Sequence, residues 1–156
     1  MKRIGLLHHP KLPATHPRAG AMARQAEEHG LAAWIGSAWD EDAVRGEAPN
    51  LDLLVTLGGD GSILRAARMG CEQGVPVLGV NMGRLGFLAE LEPDGWLAAL
   101  PRLVAGDYWI EERMMLYAEY QRGRNARATR HSTTWSSAGA AWPASCAWRP
   151  TSTAAT

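Results

Sequence analysis

Leu51-Asp52-Leu53-Leu54-Val55-Thr56-Leu57-Gly58-Gly59-Asp60-Gly61-Ser62 is the stretch on which the fold turns. Its first seven residues carry the continuous aliphatic character of a strand buried on both faces. Three glycines then surround a single carboxylate, and Ser62 to Met69 has a helical pattern. A strand running through a glycine-rich turn into a helix is the basic unit of a parallel α/β sheet. Outward from it, similar units follow in both directions. Arg3 to Leu7 reads as a short buried strand, followed by a polar loop from His8 to Pro17. Pro17 suits the first turn of a helix whose body, Ala19 to His29, is stopped by Gly30. Leu31 to Ile35 is a second strand, and Asp40 to Arg45 a short acidic helical turn or loop. Val75 to Val80 is a fourth strand, Asn81 to Phe87 a glycine-rich loop, and Pro93 to Val104 a helix ended by Gly106. The expected class is α/β, an open and mostly parallel sheet with flanking helices. Ligands of such sheets bind beyond the carboxyl ends of the strands.

The turn itself has a chemistry. Glycines let a backbone approach a ligand closely, and amides at a helix start favour phosphate. Asp60 is the odd member, because a carboxylate repels phosphate. It fits a site where it holds a metal ion or takes a proton from a hydroxyl nucleophile. The alternative is a tight strand-to-helix turn in which Asp60 caps the helix. No Gly-x-x-x-x-Gly-Lys-Ser/Thr occurs, and no strand is followed by Gly-x-Gly-x-x-Gly. P-loop and hydride-transfer Rossmann chemistry are therefore unsupported.

The 156 residues are 46% hydrophobic, enough for one domain with an appendage, and the formal net charge is zero. No global basic field argues for nucleic acid. Two cysteines, Cys71 and Cys146, make neither a disulfide framework nor a zinc cluster, and no metal site is assigned. No apolar run is long enough for a signal peptide or a membrane span, so a cytoplasmic protein is expected. Cys71 reads as a small buried apolar residue, and Phe87, the only phenylalanine, as core. His8, His9 and Lys11 read as a solvated loop that could also touch phosphate.

The averages conceal a break. All 16 acidic residues lie at or before Glu119, and no isoleucine, leucine or valine follows Leu116. From Arg122 onward there are five arginines among Ser, Thr, Ala and Trp. Such a segment lacks the aliphatic periodicity to bury a face, so residues 122–156 are expected to be disordered.

Two motifs carry a family resemblance. The run Gly58 to Arg68 resembles the signature stretch of NAD kinases. About a dozen residues on, Val77-Leu78-Gly79-Val80-Asn81-Met82-Gly83-Arg84-Leu85-Gly86-Phe87-Leu88 is similar to that family's Gly-(Ile/Val)-Asn-x-Gly-x-Leu-Gly-Phe-Leu run. Diacylglycerol-type lipid kinases and phosphofructokinases share the Gly-Gly-Asp-Gly turn, but their resemblance stops before the second run. The likeness covers roughly residues 1 to 121. It implies a nucleotide-phosphate-binding domain over 1–113 and the start of a second, β domain over 114–121, truncated here.

The resemblance also implies an activity: phosphoryl transfer from ATP (or polyphosphate) to the 2′-hydroxyl of the adenosine ribose of NAD, giving NADP. Asp60 would be the general base. The amides of Gly58, Gly59 and Gly61 would meet phosphates, and Arg65 would contact the nucleotide or stand as a solvated helix arginine. Asn81 would hydrogen-bond ribose or diphosphate, or close its turn. Mg²⁺ would arrive with the nucleotide, the partners would be small-molecule nucleotides, and members of the family form homo-oligomers.

The family's Asn-(Asp/Glu) pair and Thr-x-Thr-Gly-Ser-Thr-Ala-Tyr-like loop do not appear, which implies that this chain alone is inactive. One of two readings of the tail is a slip of one nucleotide near residues 122 to 130. Read one base back over Arg130 to Ala140, suitable synonymous codons permit Ala-Leu-Asn-Asp-Val-Val-Val-Gly-Arg-Gly, which contains the missing Asn-Asp pair. The other reading is a genuine arginine-containing tail.

Overall fold

A computed structural model describes residues 1–83, 86–113, 115 and 145–150. Four parallel strands form the main sheet: β1 (Arg3–His8), β2 (Ala32–Ser37), β3 (Leu53–Gly58) and β4 (Val77–Asn81), in the order β2-β1-β3-β4. The helices are α1 (Thr15–Glu28), α2 (Glu41–Glu47), α3 (Asp60–Gly70) and α4 (Trp96–Ala105).

Alternation along the strands builds a core on each face. Ile4, Leu6, Leu53, Val55, Leu57, Leu78 and Val80 point to one side, where Met22 and Ala26 of α1 and Trp96, Leu100 and Leu103 of α4 cover them. Leu7, Leu54 and Val77 point to the other, against Val44 of α2 and Ile63, Ala66 and Met69 of α3. All of these side chains are buried. Burying such a leucine or isoleucine contributes about 1.5–3 kcal/mol each relative to exposure, so the two layers hold the sheet from both sides.

The strand order makes the site. From β1 the chain crosses to β2 on one side, then passes back over β1 to β3 on its other side. The direction reverses between β1 and β3, and the helices change face with it, as right-handed crossovers require. A crevice therefore opens beyond the carboxyl ends of β1 and β3, where His8-His9 and Gly58-Gly59 emerge.

Several boundaries differ from the sequence reading. Helix α1 begins at Thr15, four residues before Ala19, because the Thr15 hydroxyl bonds the carbonyls of His9 and Leu12 and organises the entry loop. Strand β5 (Tyr108–Glu112) follows α4, whose end is capped by Gly106 at φ +75°. It pairs antiparallel with β6 (Ser145–Pro150), inside the stretch expected to be disordered. The remainder of that stretch, and the start of a β domain expected over 114–121 apart from Met115, lie outside the described residues. Among the described residues no helix is long and apolar enough to cross a membrane.

Candidate functional site

The Gly58-to-Ser62 turn sits where β3 hands over to α3. Gly59 is the extended N-cap residue, at φ −106° and ψ −171°, and offers no side chain. The N–H groups of Ser62 and Ile63 return to its carbonyl at 2.9 and 3.3 Å. The N–H groups of Asp60 and Gly61, at the positive end of the helix dipole, remain for a ligand. At Gly59 and Gly61 a Cβ would meet nothing within 4 Å, so this backbone borders open space.

Asp60 does not cap α3. Its carboxylate reaches across to the second glycine-rich loop, accepting the N–H of Phe87 on Oδ2 at 3.0 Å and that of Leu88 on Oδ1 at 3.1 Å. Gly86 is needed for this reach, since a Cβ there would land on the Asp60 carboxylate. The two motifs are thus one structure, joined by a side chain that each sequence run leaves unexplained.

Asn81, at the end of β4, is 5% exposed. Its Oδ1 accepts the N–H of Gly83 and its Nδ2 donates to Glu92, each at 3.2 Å. The Gly83 bond closes the turn, one of the two roles open to Asn81 from sequence. Phe87 corrects the core expectation, being 93% exposed. Its N–H is tied to Asp60, and its ring joins neither core layer. Arg84 and Leu85 lie outside the described residues.

On the other side of the turn is a cleft of about 360 Å³ lined by His9, Leu12, Trp39, Gly59, Gly61, Ser62 and Arg65. Arg65 forms part of its wall. Its guanidinium lies over the Trp39 ring, 4.7 Å from the centroid, and donates to Glu41 at 3.0 Å. Glu41 also binds Arg68. The His9 ring leans on Trp39, with centroids 4.3 Å apart. His8 stands edge-on to His16 at 4.8 Å, with its Nδ1 buried and without a hydrogen-bond partner among the described residues. Burial, then the charges of His16 and His9, push the His8 pKa down. Cys71 is half-buried rather than buried and donates to the Arg68 carbonyl at 3.3 Å; burial pushes its thiol up.

Leu12, Trp39 and Glu41 were not singled out in the sequence. Leu12 and Trp39 lie in loops, where a single apolar residue carries no period, and Glu41 is one acid in an acidic turn. No cluster of three or more His, Cys, Asp or Glu that could hold a metal occurs among the described residues.

Comparison with known proteins agrees with this geometry. Residues 9–108 match the family model described as the ATP-NAD kinase N-terminal domain. The chain is 40% identical over 119 residues to an NAD kinase of Dehalococcoides mccartyi, covering 76% of this chain and 42% of the relative. It is 56% identical over 75 residues to one of Heliobacterium modesticaldum, covering 48% and 26%. Among solved structures, an NAD kinase from Archaeoglobus fulgidus in complex with ATP aligns with TM-score 0.56 at 22% identity, over 71% of this chain and 41% of that one. Yeast NADH kinase complexed with NADH aligns with TM-score 0.58 at 19% identity, over 86% and 46%. These two likenesses bear on the fold. The chain spans less than half the length of the relatives just named. With the family model spanning most of the α/β unit and the glycine turn inside it, the chain belongs to the ATP-NAD kinase family.

Proposed function

We propose that this chain carries the phosphate-binding side of a phosphotransferase site, one that moves a phosphoryl group from ATP to the 2′-hydroxyl of the adenosine ribose of NAD and yields NADP. The observation that carries the reading is the Asp60 carboxylate, held by the Phe87 and Leu88 N–H groups where the glycine turn opens α3. Each carboxylate oxygen accepts one N–H and retains a further lone pair. Asp60 can therefore accept the hydroxyl proton as the ribose oxygen attacks phosphorus, in a site whose main work is positioning and charge stabilisation. The Asp60 and Gly61 amides face the phosphates, and Arg65 adds a cation from the first turns of α3.

The protein supplies no clustered metal ligands among the described residues, and Asp60 is engaged by amides. A divalent cation would enter on the nucleotide phosphates and neutralise part of their charge. Since the Asn-(Asp/Glu) pair and the Thr-x-Thr-Gly-Ser-Thr-Ala-Tyr-like loop do not appear in it, we assign nucleotide binding without turnover to the chain alone. A lipid or sugar kinase built on the same turn would not call for the Asn81-to-Leu88 loop that Asp60 grips.

The test is ATP binding and NADP formation by this chain beside a longer version in which the sequence from residues 122–130 onward is read one base back. Binding is expected in both, and NADP only with the longer chain. Asp60→Ala in the longer chain should cut turnover more than binding. Comparable turnover in that variant would remove Asp60 from the chemistry, and a substrate panel turning over a lipid or sugar but not NAD would replace the acceptor.

A further inference from the structure

The second glycine loop is held in two places. Asp60 grips it through the N–H groups of Phe87 and Leu88. Its neck, where the chain leaves β4 and returns, is closed separately. The N–H groups of Glu90 and Leu91 both donate to the Gly79 carbonyl at 3.1 Å, and the Asn81 N–H donates to the Leu91 carbonyl at 2.8 Å. Leu91 thus lies beside Val80 in a single parallel bridge, and the next residue, Glu92, reaches the Asn81 side chain.

That side chain is buried, so its carboxamide depends on partners within the protein. Oδ1 accepts the Gly83 N–H, and Nδ2 donates to Glu92. Donor and acceptor chemistry sets this orientation. A carboxylate only accepts and a backbone N–H only donates. A flipped carboxamide would therefore turn oxygen to oxygen at Glu92 and N–H to N–H at Gly83. Glu92 decides which atom of Asn81 faces the loop. Engaged at both ends, the buried amide is placed to hold the neck.

We propose that Glu92 is a positioning residue. It orients the Asn81 carboxamide, so that Asn81 holds the neck of the loop, and with it the Phe87 and Leu88 amides that meet Asp60, rather than contacting the nucleotide phosphates. The importance given to Asp60 rests on the phosphotransferase reading, whereas the clasp between Glu92 and Asn81 can be tested apart from it.

Amide hydrogen exchange of the full chain at Gly83, Phe87 and Leu88, with Val55 of the core as reference, is compared for the wild type and four variants. These are Glu92→Ala, Glu92→Gln, Asn81→Asp and the double variant Asn81→Asp/Glu92→Gln, each also titrated with ATP. Glu92→Ala removes the acceptor, and Asn81→Asp sets two carboxylates against each other. In both, exchange at all three loop amides should quicken about five-fold or more relative to Val55. Glu92→Gln keeps an acceptor oxygen and should match the wild type. In the double variant donor and acceptor change places across the same contact, so protection should return, with ATP affinity within about two-fold of the wild type.

A Glu92→Ala chain in which Gly83 alone quickens would mean that the pair closes its own turn without holding the loop, and overturns the assignment. So does a Glu92→Gln or double variant as unprotected as Glu92→Ala, because the match of donor to acceptor would then not be the cause. Restored protection with ATP binding about ten-fold weaker in the double variant would return Asn81 to the phosphates and overturn it too. A wild type that fails to bind ATP sinks the phosphotransferase reading, and the exchange pattern still decides the clasp.

Discussion

Asp60 and Phe87 are joined by a hydrogen bond from the Phe87 N–H to the carboxylate at 3.0 Å, across 27 residues of sequence. With the companion bond from Leu88, it fixes the second glycine loop against the start of α3. The group proposed as base is therefore also the strut that holds the second glycine loop. Asp60→Asn presents an NH₂ to one of the two amides in place of an acceptor oxygen, and Asp60→Ala removes both acceptors. Hydrogen bonds to a charged acceptor contribute about 1.5–3 kcal/mol when buried. For a half-buried Asp60, the alanine variant is expected to lose about 1–3 kcal/mol in urea denaturation, with the asparagine variant between it and the wild type. Amide hydrogen exchange at Phe87 and Leu88 should accelerate in both. Unchanged protection there would mean that the bonds do not hold the loop.

Gly86 and Gly61 make opposite demands on a methyl group. At Gly86 an added Cβ collides with the Asp60 carboxylate, which cannot retreat without releasing the two amides. Overpacking of that kind costs about 1–3 kcal/mol, so Gly86→Ala should destabilise the chain and loosen the loop. At Gly61 the methyl meets open space inside α3, where alanine is the better helix former by about 0.5–1 kcal/mol. Gly61→Ala should therefore keep or raise the melting temperature while lowering ATP affinity by about ten-fold, because the methyl stands where the phosphates approach. A Gly61→Ala chain that binds ATP normally would place the phosphates elsewhere.

What could be read from sequence was whatever repeats locally. β1, β3 and β4 declare themselves as aliphatic runs, and the glycine turn shows the point of handover to α3. The Asp60 grip could not be read, because a side chain bonding backbone 27 and 28 residues away leaves no pattern in either segment. Its only trace was the glycine at 86. Phe87 misled for a related reason: hydrophobicity argues for burial, but a backbone anchor decided its position. β5 was passed over because Tyr108-Trp109-Ile110-Glu111-Glu112 lacks apolar alternation, and its partner comes from a stretch without aliphatics.

Glu41 competes with any phosphate for Arg65. It accepts from Arg65 at 3.0 Å and also binds Arg68, so one carboxylate partly neutralises two cations beside the cleft. The pairs are about a third exposed, and such pairs contribute about 0.2–1 kcal/mol. Glu41→Gln should thus change stability little. It should raise tripolyphosphate affinity by about two- to five-fold, with a steeper fall in affinity as salt is added. Reduced affinity at every ionic strength would show that Glu41 serves to aim Arg65 rather than to hold it back.

His8 gives the fold a pH dependence of predictable sign. Its Nδ1 is buried without a partner, its ring meets His16 edge-on, and burial followed by the charges of His16 and His9 pushes its pKa below the ordinary 6.5. Protonation in the folded state would place a positive charge beside His16, with no acceptor for Nδ1 among the described residues. The unfolded chain takes that proton at about 6.5, and the folded chain only at lower pH. Between those two values the unfolded state binds more protons, so stability rises with pH there and levels off above 6.5. Melting temperature should therefore be lower at pH 5.5 than at pH 7.5, and His8→Gln should flatten that difference while changing the value at pH 7.5 less. If the variant keeps the full difference, the acid sensitivity belongs to other groups and the unpartnered imidazole is not its source.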